Sequence, residues 1–346
     1  MTEAGQRLLI VRLSSIGDIV HALPAAAALA ESLPAARVDW VVEKRFAVLL
    51  EANPHLHRVI ALDTLGWRRR LASASAWREI REGIRLLRCI GYDAALDFQG
   101  LWKSSVVAWL SRAPKRVGFA AGRLREPGAG LLYTDRVSPP PQVHVVKENL
   151  VLVESLGAKA AKWQFPLPQN TGDNDYVAAR LRELTSDRVI IVNPGGGWRA
   201  KCWAPENYAT LVRQIAGSRQ EALVLTGAPA EEPMIREIIR ASGMPRVTYL
   251  PTSIVQFIAL VRRAQLFIGG DTGPLHLAAA VGTPVVGIYG PTDPTRNGPF
   301  SPDDIALHNH QAINHTRRED HPAYIGGIPV ATVLQAVEQR LARTYG

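Results

Sequence analysis

Residues 266–294 read LFIGGDTGPLHLAAAVGTPVVGIYGPTDP, and this stretch decides the fold. Leu266 to Ile268 form a short apolar run. Gly269-Gly270-Asp271-Thr272-Gly273 is a turn carrying three glycines. Pro274 suits the first turn of a helix, where its missing N–H costs nothing. The spacing predicts a helix over 275–281, Gly282 as its C-cap, and a buried strand over 284–289. Free N–H groups at such a helix start form an anion site, and glycines let a phosphate approach the backbone. Asp271 and His276 flank that spot. A carboxylate there would repel a phosphate, so Asp271 is read as a holder of sugar hydroxyls, or else as a helix-capping Asp beside a core His.

The length of 346 residues suggests two domains, and the apolar and charged fractions, 47% and 21%, are those of a globular protein. Two cysteines, Cys89 and Cys202, give neither a disulfide framework nor a metal-ligand cluster, as expected in a reducing cytoplasm. The opening MTEAGQRLLIVRL is too short and polar for a signal peptide, and no run is long enough to span a bilayer. The net charge of +9 is uneven. Residues 1–162 hold 23 basic and 15 acidic side chains, leaving the rest of the chain near neutrality at +1. A basic first half implies an acidic partner: nucleic acid, anionic lipid or a phosphorylated substrate.

Working outward, residues 8–13 (LLIVRL) form a strand carrying Arg12, followed by Ser14-Ser15-Ile16-Gly17-Asp18 and an apolar helix. A strand, a Gly-containing turn and a helix open a doubly wound α/β domain. Pro24 predicts either a helix start or a kink. Asp18 lies at the sheet edge where open α/β sheets bind ligands; it is either a base for a substrate hydroxyl or a helix cap. Strands follow at 37–43 and 59–62. Residues 66–90 read as basic helix, from Trp67-Arg68-Arg69-Arg70 through Trp77 to Arg78, Arg81, Arg85 and Arg88, the last four sharing one face. That stripe either binds phosphates and carboxylates or is a solvated face. A strand over 92–98 ends in Gln99-Gly100-Leu101-Trp102-Lys103-Ser104, presenting Gln99 and Lys103 at the same edge. A strand over 116–119, a loop over 122–130 with Arg123 and Arg125, and a helix over 144–157 complete the half.

Residues 162–174 lack a clear period and are read as the interdomain linker. A strand over 188–192 opens into Asn193-Pro194-Gly195-Gly196-Gly197-Trp198-Arg199-Ala200-Lys201. A Gly-rich turn after a strand, with a Lys a few residues on, can cradle a pyrophosphate. It fits neither dinucleotide nor P-loop spacing, which disfavours a dehydrogenase. A strand over 221–225 is followed by Glu231 and Glu232, placed either for ribose hydroxyls or as first-turn helix acids. Further elements are a strand over 247–250, a helix over 254–263 and a terminal amphipathic helix over 329–343.

The strings Ser14-Ser15-Ile16-Gly17-Asp18, Gln99-Gly100-Leu101-Trp102-Lys103-Ser104, Asp271-Thr272-Gly273-Pro274-Leu275-His276 and Tyr289-Gly290-Pro291-Thr292-Asp293-Pro294, in that order, resemble the bacterial heptosyltransferases of lipopolysaccharide core synthesis. The resemblance covers nearly the whole chain. Residues 38–43 (VDWVVE) and the Trp67-to-Arg70 run lean towards heptosyltransferase I. It implies an α/β, GT-B fold, with two Rossmann-like doubly wound domains facing across a cleft: an acceptor domain over 1–165, a nucleotide-sugar domain over 175–328, and a helix over 329–346 packing back on the first. The implied chemistry is inverting, metal-independent and cofactor-free transfer of heptose from ADP-heptose to the Kdo of an anionic Kdo-lipid A-type acceptor.

By that resemblance Asp18 is the catalytic base. Arg12, Gly195, Gly196, Lys201, Glu231, Asp271, Thr272, Gly273 and His276 belong to the donor site. Among these, Lys201 meets the phosphates, Glu231 the adenosine ribose and Asp271 the heptose. Arg68, Arg69, Arg70, Gln99, Lys103 and Arg125 hold the acceptor. Residues 193–197 are more Gly-rich than the loop of the best-known heptosyltransferase I enzymes, and Arg12 stands where the family often has Lys. A type II or III heptosyltransferase is the nearest alternative, and a sugar-nucleotide epimerase on the same scaffold a further one. The basic half carries no recognisable nucleic-acid module. It suits a cytoplasmic enzyme held peripherally and electrostatically at the inner face of the inner membrane.

Overall fold

A computed structural model describes residues 5–309 apart from 185 and 187, residue 325, and residues 327–345. The chain divides into two compact units, Met1–Pro168 and Gln169–Gly346. In the first, the order is β1 (Arg7–Val11), α1 (Ile16–Ser32), β2 (Arg37–Glu43), β3 (Arg58–Leu62), α2 (Thr64–Arg69), α3 (Ala74–Ile90), β4 (Ala94–Asp97), α4 (Trp102–Leu110), β5 (Lys115–Phe119), β6 (Asp135–Val137) and α5 (Val145–Glu154). Its sheet is parallel, ordered β3-β2-β1-β4-β5-β6. Strands buried on both faces must be apolar throughout, and LLIV of β1 and AAL of β4 are. The direction of winding reverses between β1 and β4, where Val11 pairs with Asp97.

The second unit runs α6 (Thr171–Arg182), β7 (Val189–Asn193), α7 (Pro205–Ser218), β8 (Ala222–Leu225), α8 (Glu232–Ser242), β9 (Val247–Tyr249), α9 (Ile254–Val261), β10 (Leu266–Gly270), α10 (Gly273–Ala280), β11 (Val285–Tyr289), α11 (Pro294–Asn297), β12 (Ile305–His308) and α12 (Val330–Tyr345). Its parallel sheet is ordered β12-β11-β10-β7-β8-β9. Winding reverses between β7 and β10, where Asn193 pairs with Gly269. Ligands of open α/β sheets bind at such reversal points, beyond the carboxyl ends of the strands. The two sheets therefore each offer one such place.

Several elements differ from the sequence expectations. Residues 66–90 are two helices: Asp63 accepts from the Gly66 N–H to start α2, Ser73 caps α3, and Gly91 ends it in the left-handed region at φ 69°. The arginines at 78, 81, 85 and 88 are exposed on α3. Pro24 lies inside α1 without ending it. Burial of almost the whole helix offsets the lost hydrogen bond, and Asn149 of α5 ties the helix down nearby by donating to the His21 carbonyl, three residues before the proline, at 2.9 Å.

The expected linker is shorter than read, because the Asn170 side chain caps α6 inside it. The apolar side of the terminal helix, Val333, Ala336, Val337 and Leu341, belongs to the second unit's core, with α12 packed on α7 and β11. Trp203 ties that end down by donating to the Ile328 carbonyl at 3.0 Å. Gly282 does take the left-handed conformation, φ 81°, one residue beyond the Val281 cap of α10.

Candidate active site

The reversal point of the first unit gathers the ends of β1 and β4. Asp18 sits at the third position of α1, where its Oδ2 accepts from the Ser15 N–H at 2.9 Å and the Ser15 hydroxyl at 3.0 Å. It is a capping-box carboxylate. Its Oδ1 faces the opposite way, into a direct ion pair with Arg12 and 3.8 Å from an Arg125 nitrogen. Burial alone would raise the Asp18 pKa. The charges of Arg12 and Arg125 outweigh it and hold the carboxyl well below the ordinary range. The side chain is still 19% exposed, so a substrate hydroxyl can reach it.

Arg12 is itself fixed on the sheet. One guanidinium nitrogen donates to the Phe98 carbonyl, and the Arg12 carbonyl accepts from the Trp40 indole at 3.1 Å. Burial lowers its pKa against the opposing pull of Asp18. Gln99 bridges the two strand ends: its Oε1 accepts from the Leu13 N–H at 2.9 Å and its Nε2 donates to the Ser14 hydroxyl at 3.5 Å. Lys103 donates to the same hydroxyl at 3.3 Å. Partial burial lowers the Lys103 pKa, and the charges of Arg45, Arg68 and Arg12 push the same way.

Asp97 sets this junction. It is fully buried and accepts from Tyr133 at 2.7 Å, Ser104 at 2.8 Å and the Gln99 N–H at 2.8 Å. Arg12, Asp18, Gln99, Lys103 and Arg125 thus come together, with Arg68 close enough to act electrostatically on Lys103. Arg69 is exposed on α2. Arg70 is engaged within its own unit while its side chain stays 41% exposed. Its guanidinium forks onto Glu79 with two 3.0 Å hydrogen bonds and reaches Asp63 at 3.5 Å, a geometry that uses the fork to join α2 to α3.

In the second unit the Gly-rich loop after β7, Glu231 after β8, and the turn after β10 converge. A Cβ on Gly195 would fall 2.1–2.2 Å from the Glu231 carboxylate, and one on Gly196 would fall 3.0 Å from Cys202 Sγ and 3.3 Å from Thr272. Only glycine permits this approach. Glu231 is held by the Ala228 N–H at 2.7 Å. Thr272 is the N-cap residue of α10 and Gly273 its first residue, so the helix start lies against the loop. Lys201 Nζ reaches Asp271 Oδ2 at 2.5 Å and the Asp271 carbonyl at 3.3 Å.

Asp271 is held at the centre of a polar cluster. Its side chain is 1% exposed, and both oxygens are already used. Oδ1 meets His276 Nε2 and Asn297 Nδ2 at 3.0 Å; Oδ2 accepts from Lys201, from Thr292 at 2.6 Å and from Asn297 at 3.0 Å. Burial would raise its pKa, but the bond to His276 and the charge of Lys201 hold it well below the ordinary range. It fixes the Lys201 ammonium beside the turn after β10. Thr292 lies in a motif legible in sequence, whereas Asn297 carries no sequence signal. Among the described residues no group of three or more His, Cys, Asp or Glu could hold a metal.

Comparison with known proteins identifies the family. The family described as glycosyltransferase family 9 (heptosyltransferase) matches residues 80–324. Lipopolysaccharide heptosyltransferase 1 of Escherichia coli K12 is 32% identical over 292 residues, covering 83% of this chain and 89% of that protein. The solved E. coli heptosyltransferase WaaC with ADP-2-deoxy-2-fluoro heptose superposes with a TM-score of 0.75 at 28% identity, over 96% of this chain and 99% of that one. A family 9 glycosyltransferase from Veillonella parvula shares the fold, with a TM-score of 0.83 at 19% identity over 99% of both chains.

Proposed function

This chain belongs to glycosyltransferase family 9, the heptosyltransferases, and we propose that it transfers L-glycero-D-manno-heptose from ADP-heptose to the Kdo of the lipopolysaccharide inner core. The observation that carries this reading is the pair of chemically different half-sites at the two sheet reversals. One presents a carboxylate among cations, the other a lysine beside two Gly-rich turns.

The reaction is an inverting single displacement. The acceptor hydroxyl oxygen bonds to the anomeric carbon from the face opposite the diphosphate, the bond to the diphosphate oxygen breaks, and the hydroxyl proton passes to Asp18. Charge developing on the departing ADP is met by Lys201 and by N–H groups at the start of α10. No metal is required by this scheme. Glu231, packed on Gly195, takes the ribose hydroxyls in this scheme. The low pKa of Asp18 makes it a weak base when the acceptor is absent. Once Arg125 turns to the acceptor's anionic groups, its hold on Asp18 weakens and the carboxylate becomes more basic.

The acceptor is a Kdo-lipid A-type glycolipid at the inner-membrane surface, approached from the cytoplasmic side. Among the described residues no helix is long and apolar enough to cross a membrane. The test is transfer from ADP-heptose onto defined Kdo-lipid acceptors, with UDP- and GDP-sugars as competing donors. Product with ADP-heptose and Kdo-lipid supports the assignment. Transfer only onto an already heptosylated core would indicate a type II or III enzyme, and turnover of the donor without any acceptor would indicate an epimerase.

A further inference from the structure

Two neighbouring helices of the first unit expose surface that the transfer chemistry does not use. On α4, Trp102, Val106 and Trp109 are 44%, 37% and 50% exposed. Their spacing of four and three places them on one helix face. Scattered exposed apolar residues need no explanation, but two tryptophans and a valine in one stripe do. Leu131, 75% exposed, lies on the 3-10 segment that packs against α4. The Trp102 indole is seated there: a Cβ on Gly128 would fall 2.3 Å from it.

The adjacent helix α3 carries the matching charge. Trp77 is 49% exposed and stands on the same side as Arg78, Arg81, Arg85 and Arg88, all exposed. The helices touch, and Arg88 Nε donates to the Leu110 carbonyl at the end of α4 at 3.4 Å. Together they present an aromatic stripe beside a row of guanidinium groups.

We propose that this combined face of α3 and α4 docks the protein on an anionic lipid bilayer. Trp102, Val106 and Trp109 enter the boundary between headgroups and acyl chains, and the arginines of α3 bind lipid phosphates. Indole rings favour that boundary, and cationic side chains beside an apolar face add attraction to anionic lipid. The stripe begins one residue before Lys103, whose ammonium meets the Ser14 hydroxyl in the acceptor half-site. Pairing with a second copy is disfavoured, because an isologous contact would bring the same arginine rows together. This deepens the membrane-side reading of the acceptor, and its test is independent of transfer.

The test is flotation of the full chain with vesicles of phosphatidylcholine, alone or with a minor fraction of phosphatidylglycerol, at low and high salt. Wild-type protein should float with the anionic vesicles. The double variant Val106→Ser/Trp109→Ser should lower the partition coefficient about ten-fold or more. Arg81→Gln/Arg85→Gln should lower it and flatten its salt dependence. Both variants should keep wild-type unfolding curves and wild-type transfer onto a deacylated, water-soluble acceptor. Should a variant fail to fold, brominated lipid in the anionic vesicles should still quench wild-type tryptophan fluorescence. Undiminished flotation of Val106→Ser/Trp109→Ser, absence of quenching, or a wild-type dimer that this variant dissolves would each overturn the proposal. The vesicles hold no glycolipid, so failure here leaves the transfer reaction standing, and failure of transfer leaves the docking face standing.

Discussion

The Lys201 ammonium lies 2.5 Å from Oδ2 of Asp271, a carboxylate whose other oxygen is taken by His276 and Asn297. The pair joins the loop after β7 to the turn after β10, so one interaction sets the position of the cation and the shape of the turn. Removing the carboxylate in Asp271→Ala would strand the buried donors that converge on it. We expect a loss of roughly 3 kcal/mol in urea unfolding, the scale of breaking a buried pair. A change within experimental error would show that the cluster does not hold the unit together.

Lys201→Ala should weaken ADP binding by roughly 1.5–3 kcal/mol, the scale of a charge-assisted hydrogen bond. Calorimetry measures this directly. An unchanged affinity would remove Lys201 from the phosphate site, whatever its effect on stability.

Arg70 and Glu79 should behave as one unit. Because the guanidinium of Arg70 is bound to Glu79, Arg70→Ala and Glu79→Ala should raise the acceptor KM by similar factors, and the double variant should be no worse than either. If Arg70→Ala alone were far more damaging, Arg70 would be touching the acceptor. Lys103→Ala should raise the acceptor KM and leave ADP binding unchanged, since its ammonium belongs to the first unit's half-site.

The pH dependence of stability follows from the two depressed carboxylates. Asp18 and Asp271 have folded pKa values below their unfolded value of about 3.9. The stability they contribute is complete above that value and is lost as pH falls towards the folded pKa, where the unfolded chain binds more protons. The unfolding free energy should therefore show no loss from these groups between about pH 5 and 8, and should fall below about pH 4. Asp18→Asn should flatten the acid slope. An acid slope identical to wild type would show that Asp18 is not held by Arg12 and Arg125 in solution.

Much of this was legible in the chain. The β–α alternation and the turns after β1, β4, β7 and β10 follow from apolar runs ending in Gly, Ser and Asp, and both half-sites fall on those turns. What escaped had weak local signals. In α6 only Val177 is buried, so its sequence shows little apolar periodicity, and the stretch before it read as linker. Pro24 read as a helix start or a kink, whereas the helix begins at Ile16 and runs through it. The hydrogen bonding of Asp271 depends on Thr292 and Asn297, more than twenty residues away in sequence, which no spacing rule connects. The engagement of Arg70 likewise rests on how α2 folds against α3.

The most direct measurement is kcat of Asp18→Asn for heptose transfer onto a Kdo-lipid acceptor, taken alongside calorimetric affinity for ADP. With Asp18 as the base, kcat should fall by about 10²–10⁴-fold while ADP affinity stays near wild type. A variant that turns over at close to the wild-type rate would contradict the role assigned to Asp18 and, with it, the proposed displacement.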